Sequence, residues 1–262
     1  MATASSLRGI PVVILLFALL TAGCAAPRTS LIARGGIFQV DGGIGASQGP
    51  VSGVSTADDL GLESVFAFQP RIDVDWDDWH LSASGFDVES SGTGAADARF
   101  EWNGRVIESG VATESTLGLR LITTDVAWDP IPWEFMDIGI GVGLGYLWYD
   151  AYVLAEEVPV GIGIDQSTPM GYLLLRLAKQ MPDWGVILRL AGVSASWEND
   201  EITYYEADLM GSIRLWGDAE SVRGDLILGY RYLYAEYIYS SSYSFETDPT
   251  LQGPYIGFAV VF

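Results

Sequence analysis

His80, the only histidine in the chain, stands two residues before Ser82. On a strand that spacing puts both side chains on one face. An imidazole beside a hydroxyl is the start of a general base acting on a nucleophile, but the pair also needs an acid to orient the ring. No carboxylate is placed to do so, and His80 reads instead as an interfacial histidine beside Trp76 and Trp79. Three acidic pairs, Asp58-Asp59, Glu156-Glu157 and Asp200-Glu201, offer the oxygens that Ca²⁺ takes. None has the spacing of a calcium loop. They read as solvated loop charge, and no metal or other cofactor is expected. The stretch Asp137–Trp148, DIGIGVGLGYLW, carries Gly139, Gly141, Gly143 and Gly145 at strict two-residue spacing, which does not fit the Gly-x-Gly-x-x-Gly of a phosphate loop. As a helix it would lose about 1 kcal/mol at each glycine relative to alanine.

These residues belong to an unusual chain. It has 262 residues, 34 Asp and Glu against 13 Lys and Arg, and a formal net charge of −21. Nucleic acid is excluded as a partner, because its phosphates are neutralised by Lys and Arg. Disorder is excluded by 49% hydrophobic residues. A chain both apolar and acidic must hold its charges away from its apolar surface. Cys24 is the only cysteine, so no disulfide can form within the chain.

Period-two alternation dominates after Cys24. From Phe66 to Trp76 one face carries Phe66, Phe68, Pro70, Ile72, Val74 and Trp76, and the other Ala67, Gln69, Arg71, Asp73 and Asp75. The same arithmetic sorts Leu117, Leu119 and Leu121 from Arg120, and Leu173, Leu175 and Leu177 from Arg176. It also sorts Val186, Leu188 and Leu190 from Arg189, Leu209 from Glu206 and Asp208, and Leu226 and Leu228 from Arg231. A soluble sandwich would turn the oily faces inward; a membrane barrel turns them to lipid. The segments are long, aromatic residues gather at their ends, and the connections alternate short and long, which favours the barrel.

The expected fold is all-β, a transmembrane antiparallel up-and-down β-barrel. Ten strands are expected near residues 30–43, 63–76, 79–89, 113–128, 135–150, 166–178, 185–197, 201–216, 223–239 and 252–262, with eight as the alternative if the first two are mis-split. Short connections at 75–79, 129–134, 179–184 and 216–220 are assigned to the periplasm. Longer ones near 44–62, 90–112, 151–165 and 240–251 are assigned to the outside. Both barrel termini then lie in the periplasm.

The two ends of the chain carry resemblances. Arg8 precedes an apolar run, Ile10 to Leu20, that is too short to span a bilayer and has the proportions of a signal peptide. Ala22-Gly23-Cys24 at its end resembles the bacterial lipobox, which implies a signal over 1–23, lipidation of Cys24, a linker over 24–29 and a barrel over 30–262. The ending Tyr255-Ile256-Gly257-Phe258-Ala259-Val260-Val261-Phe262 resembles the assembly signal of bacterial outer-membrane barrels, with Tyr255, Phe258 and Phe262 as its marks. The mature chain as a whole resembles the small outer-membrane barrel class. That resemblance implies outer-membrane lipid and the barrel assembly machinery as partners.

With the oily faces outward, the lumen receives Arg71, Asp73, Asp75, Arg120, Asp137, Arg176, Arg189, Glu206, Asp208, Arg214 and Arg231, expected to form a charge network that largely fills it. The bare row Gly139, Gly141, Gly143 and Gly145 is expected to make room for long arginines. His80-Leu81-Ser82 is similar to the His-x-Ser of outer-membrane lipid A deacylases, but lies near the periplasmic end, whereas that family works on the outer leaflet. Omptin proteases resemble this chain in strand number. Their acids and histidine lie at the external rim, however, whereas Asp73, Asp75, Asp77, Asp78 and His80 crowd the opposite end here. The expected role is therefore non-enzymatic, structural or surface-interacting. A narrow channel for small solutes and a lipid- or peptide-modifying enzyme are the alternatives.

Overall fold

A computed structural model describes residues 27–47, 55–102, 105–133, 135–155, 161–218, 221–240, 242 and 244–262. The expected signal segment and Cys24 lie outside the described residues. In chain order the strands are β1 (Arg28–Asp41), β2 (Gly43–Ser47), β3 (Ser55–Thr56), β4 (Val65–Trp76), β5 (Trp79–Ala95), β6 (Phe100–Trp102), β7 (Arg105–Ile107), β8 (Ala112–Pro132), β9 (Asp137–Ala155), β10 (Gly161–Gln180), β11 (Trp184–Trp197), β12 (Asp200–Trp216), β13 (Arg223–Ser240), β14 (Ser244–Thr247) and β15 (Thr250–Val261). Among the described residues none is helical.

Ten of these strands close into a ring, β1-β4-β5-β8-β9-β10-β11-β12-β13-β15, each antiparallel to the next, with β15 pairing back onto β1. The first two expected strands are separate: β1 and β4 pair from Arg28↔Asp75 to Phe38↔Val65. The ring has ten strands, not eight. The fold is an all-β, antiparallel up-and-down barrel. Its β1 begins at Arg28, two residues inside the expected linker.

The strands are longer than a membrane requires. β8 has 21 residues, β9 19 and β10 20, against the 9–11 or so that a tilted transmembrane strand needs. The surplus stands beyond the apolar belt, towards the long loops, and there the chemistry of the two faces exchanges. Near the short turns the outward row is oily: Val142, Leu144, Leu173, Ile213, Leu228 and Ile256 are exposed. The inward row holds Arg71, Arg176, Arg189, Glu206, Asp208 and Arg231, all buried. Towards the loops the inward row is apolar, with Phe86, Val88, Leu117, Leu119, Leu121, Leu147, Ala151 and Val153 in one buried cluster. Outside them stand the exposed Asp87, Glu89, Arg120 and Asp150.

This exchange corrects two expectations. Leu117, Leu119 and Leu121 face the interior rather than lipid, and Arg120 is outside. The register decides it. Arg120 lies opposite Asp87 on β5 and Trp148 on β9, both on outward positions, and its guanidinium bonds Asp87 at 2.7 Å with 56% of the side chain exposed. Alternation gives a strand two faces but does not mark where lipid ends.

Short strands cover the loop end. β14 pairs with the end of β13, β2 with β14, and β3 with β2; β6 and β7 form a hairpin. Ile44, Ala46, Leu60, Phe100, Ile107 and Phe245 from this cap are buried in the same apolar cluster as the inner row of the barrel. The Tyr149 ring meets Phe245 edge-on at 6.3 Å, and its hydroxyl bonds that of Thr247.

Candidate functional site

The inner face of the lower barrel gathers charges from strands that are not neighbours. Arg34 on β1 reaches Asp208 on β12 at 2.6 Å. Tyr255 on β15 donates to the other oxygen of that carboxylate at 2.5 Å, and the Arg34 guanidinium lies 4.6 Å from the centre of the Tyr255 ring. Arg189 on β11 bonds Asp125 on β8 and reaches Glu206 at 3.2 Å. Glu206 also takes Arg231 at 3.2 Å and the Tyr204 hydroxyl. Asp125 further accepts from Ser82 at 2.8 Å and Tyr172 at 3.2 Å. Arg71 holds Asp73 on its own strand at 2.8 Å. Asp208, Glu206 and Asp125 are each shared by two or more donors, which offsets the cost of taking them out of water.

Nearer the short turns the network loosens. His80 lies between two carboxylates, with Nδ1 2.6 Å from Asp75 and Nε2 2.7 Å from Asp129. Arg176 lies 3.7 Å from Asp129, and Arg223 bonds Asp225 at 2.9 Å. Arg214, at the rim, bonds the Pro182 carbonyl and lies 3.6 Å from Asp183. A polar cavity of about 90 Å³ lies among these groups. That is room for a few waters and little more. Above it the interior is the apolar cluster.

The His80 and Ser82 side chains share a face as expected, but they do not bond each other. The Ser82 hydroxyl donates a hydrogen bond to Asp125, and both imidazole nitrogens face carboxylates. His80 therefore has the orienting acids that the sequence left unidentified, and it belongs to the charge network rather than to the aromatic girdle alone. Among the described residues no group of His, Cys, Asp and Glu is placed to hold a metal ion.

Of the expected network residues, Arg71, Asp73, Asp75, Arg176, Arg189, Glu206, Asp208, Arg214 and Arg231 are on the inner face. Arg120 is not. Asp137 keeps its inward parity at the start of β9, with its Cα opposite Ala178 and Pro132 at the short-turn end. Arg34, Asp125, Asp129, Arg223 and Asp225 were missed. Asp125 continues the row of Leu117, Leu119 and Leu121, so turning those leucines outward took it with them. Arg34 sits among Ile32, Gly36 and Phe38 on a row of mixed polarity that sends no clear signal.

The glycine row of β9 faces inward, and its purpose is visible in the register. Gly139, Gly141, Gly143 and Gly145 lie opposite Arg176, Leu174, Tyr172 and Met170 on β10. A Cβ at Gly143 would strike the Tyr172 ring, and one at Gly145 would come within 2.7 Å of the Met170 methyl. At Gly139 a Cβ would meet the Asp129 carboxylate at 2.5 Å, and at Gly141 the Val126 carbonyl of β8, so the row makes room for Tyr172, Met170 and the neighbouring strand rather than for long arginines. At the C-terminal end, Ile256, Phe258 and Phe262 are exposed on the outward row while Tyr255 turns into the lumen.

A closed sheet, an exposed oily belt and a charged interior define a transmembrane β-barrel, since only a barrel without edges satisfies its backbone in lipid. No family model matches the chain, and no curated protein matches it. Similar solved structures include the outer membrane protease OmpT from Escherichia coli, at 11% identity and TM-score 0.49 over 89% of this chain and 97% of that one. The toluene transporter TodX of Pseudomonas putida matches at 10% identity and TM-score 0.31 over 96% and 93%. A FadL homologue of Pseudomonas aeruginosa matches at 8% and 0.30 over 90% of each chain. At these scores the likeness carries no argument about activity.

Proposed function

We propose that the protein is an integral barrel of the bacterial outer membrane, non-enzymatic and non-conducting, that presents a rigid acidic surface beyond the membrane for interaction. The observation that carries this reading is the exchange of faces along the strands. Below, the oily belt is matched to lipid and the interior is an ion-pair network. Above, the same strands build an apolar core covered by the β2, β3, β14 and β6–β7 cap. Such an interior supports the wall and the platform and offers solutes no continuous wet path. The short turns face the periplasm in this reading, residues 1–23 are an export signal, Cys24 carries the lipid, and the C-terminal strand is read by the barrel assembly machinery.

The test is folded protein in planar bilayers, with solutes of graded size and charge. Silence is expected from protein whose unheated gel migration shows it to be folded. Stable conductance steps that change when Arg189 is replaced would overturn the reading in favour of a narrow channel.

A further inference from the structure

One ladder in the wall stops early. Between β10 and β11 the pairing runs from Gln180↔Gly185 to Leu173↔Gly192. Yet β10 continues to Gly161 along β9, and β11 continues to Trp197 along β12. Among the described residues nothing pairs with the facing edges of 168–172 and 193–197. Pro169 lies within this edge and has no N–H to offer a neighbouring strand. The ladder's last pair, Leu173↔Gly192, lies at the upper edge of the oily belt, and the split runs from there past the aromatic border, where Pro169 lies opposite Tyr146. Free edges are not tolerated in hydrocarbon, so the part of the split beyond that border is the part that water reaches.

The barrel shows what such an edge can take. The β4–β5 ladder also stops early, at Arg71↔Ser84, while both strands continue on their other sides. There the chain's own segment 59–63 lies along the free edge of β5. The Ala95 amide donates to the Asp59 carbonyl at 2.8 Å, and Ser90 donates to that of Glu63 at 2.8 Å. Glycines at 92 and 94 allow the approach. At the β10–β11 split no described segment plays this part.

Where both edges line one cavity, at 171–173 and 192–194, the lining is mostly apolar. Above it the surroundings are acidic: a cleft of about 470 Å³ beside the β10 edge is lined by Gln166, Thr168, Asp200 and Tyr237 among others, with no Arg or Lys. Asp150 and Asp165 stand directly opposite each other on outward positions of β9 and β10, a like-charge pairing that costs stability. Glu198 and Glu201 are exposed at the β11–β12 turn. We infer that the β10–β11 split is a docking site for an extended basic peptide segment of a partner protein, which enters as an added strand. The strand supplies the missing backbone bonds, and its cations answer the acids on either side. The inference rests on the surface-presentation reading and names the chemistry of the partner.

The probe is a fluorescent synthetic peptide of about ten alternating lysine and valine residues, added to the folded full chain in detergent. Saturable binding that weakens with salt is expected, while a glutamate–valine peptide stays free. Asp165→Lys with Glu201→Lys should lower affinity about tenfold. A photoreactive group on the peptide should mark residues 166–172 or 193–197. No binding, equal binding of the glutamate peptide, marking elsewhere, or occupancy by a lysophospholipid in place of the peptide would overturn the inference. A barrel that conducts yet binds the peptide fails the earlier reading alone; a silent barrel that binds none fails this one alone.

Discussion

Arg34 and Asp208 meet at 2.6 Å across three strand intervals of the wall, from β1 past β15 and β13 to β12. Both side chains are buried, and Tyr255 closes the third side of the contact. Removing one partner leaves an uncompensated charge. Arg34→Met or Asp208→Leu should each destabilise the barrel by ~3–5 kcal/mol, and the double substitution should recover most of that, because an apolar pair replaces a buried ion pair at little net cost. Urea unfolding followed by unheated gel migration measures both. A double variant as weak as the singles would deny the pairing.

Arginine should matter by storey. Arg189→Ala strips Asp125 and Glu206 of a buried donor and should cost ~3 kcal/mol or more. Arg120→Ala removes an exposed pair with Asp87 and should cost no more than ~1 kcal/mol. Comparable losses at the two sites, measured by the same unfolding assay, would contradict the exchange of faces.

Gly143 and Tyr172 form a reciprocal pair across β9 and β10. Gly143→Val should block folding, because the new side chain meets the Tyr172 ring, and Tyr172→Ala in the same chain should restore part of it. Val142→Leu, on the exposed face of the same strand, should fold normally. The yield of heat-modifiable protein reports all three.

Asp248 lies outside the barrel strands, between β14 and β15, and accepts from the Gly43 amide at 2.6 Å. Burial pushes its carboxyl above the usual range, against the opposing pull of that hydrogen bond. A carboxyl raised in the folded state binds its proton more tightly there, so acidification towards its folded value should stabilise the cap and higher pH should weaken it. Asp248→Asn keeps an acceptor without a charge and should flatten that dependence, as read by amide exchange at Gly43 against pH. An unchanged pH profile in the variant would assign the effect elsewhere.

Much of this was legible in order along the chain. Period-two alternation with one oily face located all ten wall strands, though it ended β5 and β9 and began β10 five or six residues short at the loop end, and ended β8 four residues short at the short-turn end. It turned Arg71, Arg176, Arg189, Glu206, Asp208 and Arg231 inward, because a strand has two faces and lipid tolerates only one chemistry. The glycines at 139–145 were placed on the inner face for the same reason. What they accommodate was not legible, since Tyr172 and Met170 face them only through the register of β9 against β10.

Residue order along the chain is enough to give the sheet an oily and a charged side and to require that it close on itself. Where the two sides exchange is set by how the strands pack. Leu117, Leu119 and Leu121 look the same beside lipid as beside a core, and only the pairing of Arg120 with Asp87 and Trp148 tells which one they meet. The tertiary structure also joined Arg34 to Asp208 and left β10 and β11 apart, because contacts between residues over a hundred positions apart, and the place where a ladder stops, are set by how the strands pack around a common axis.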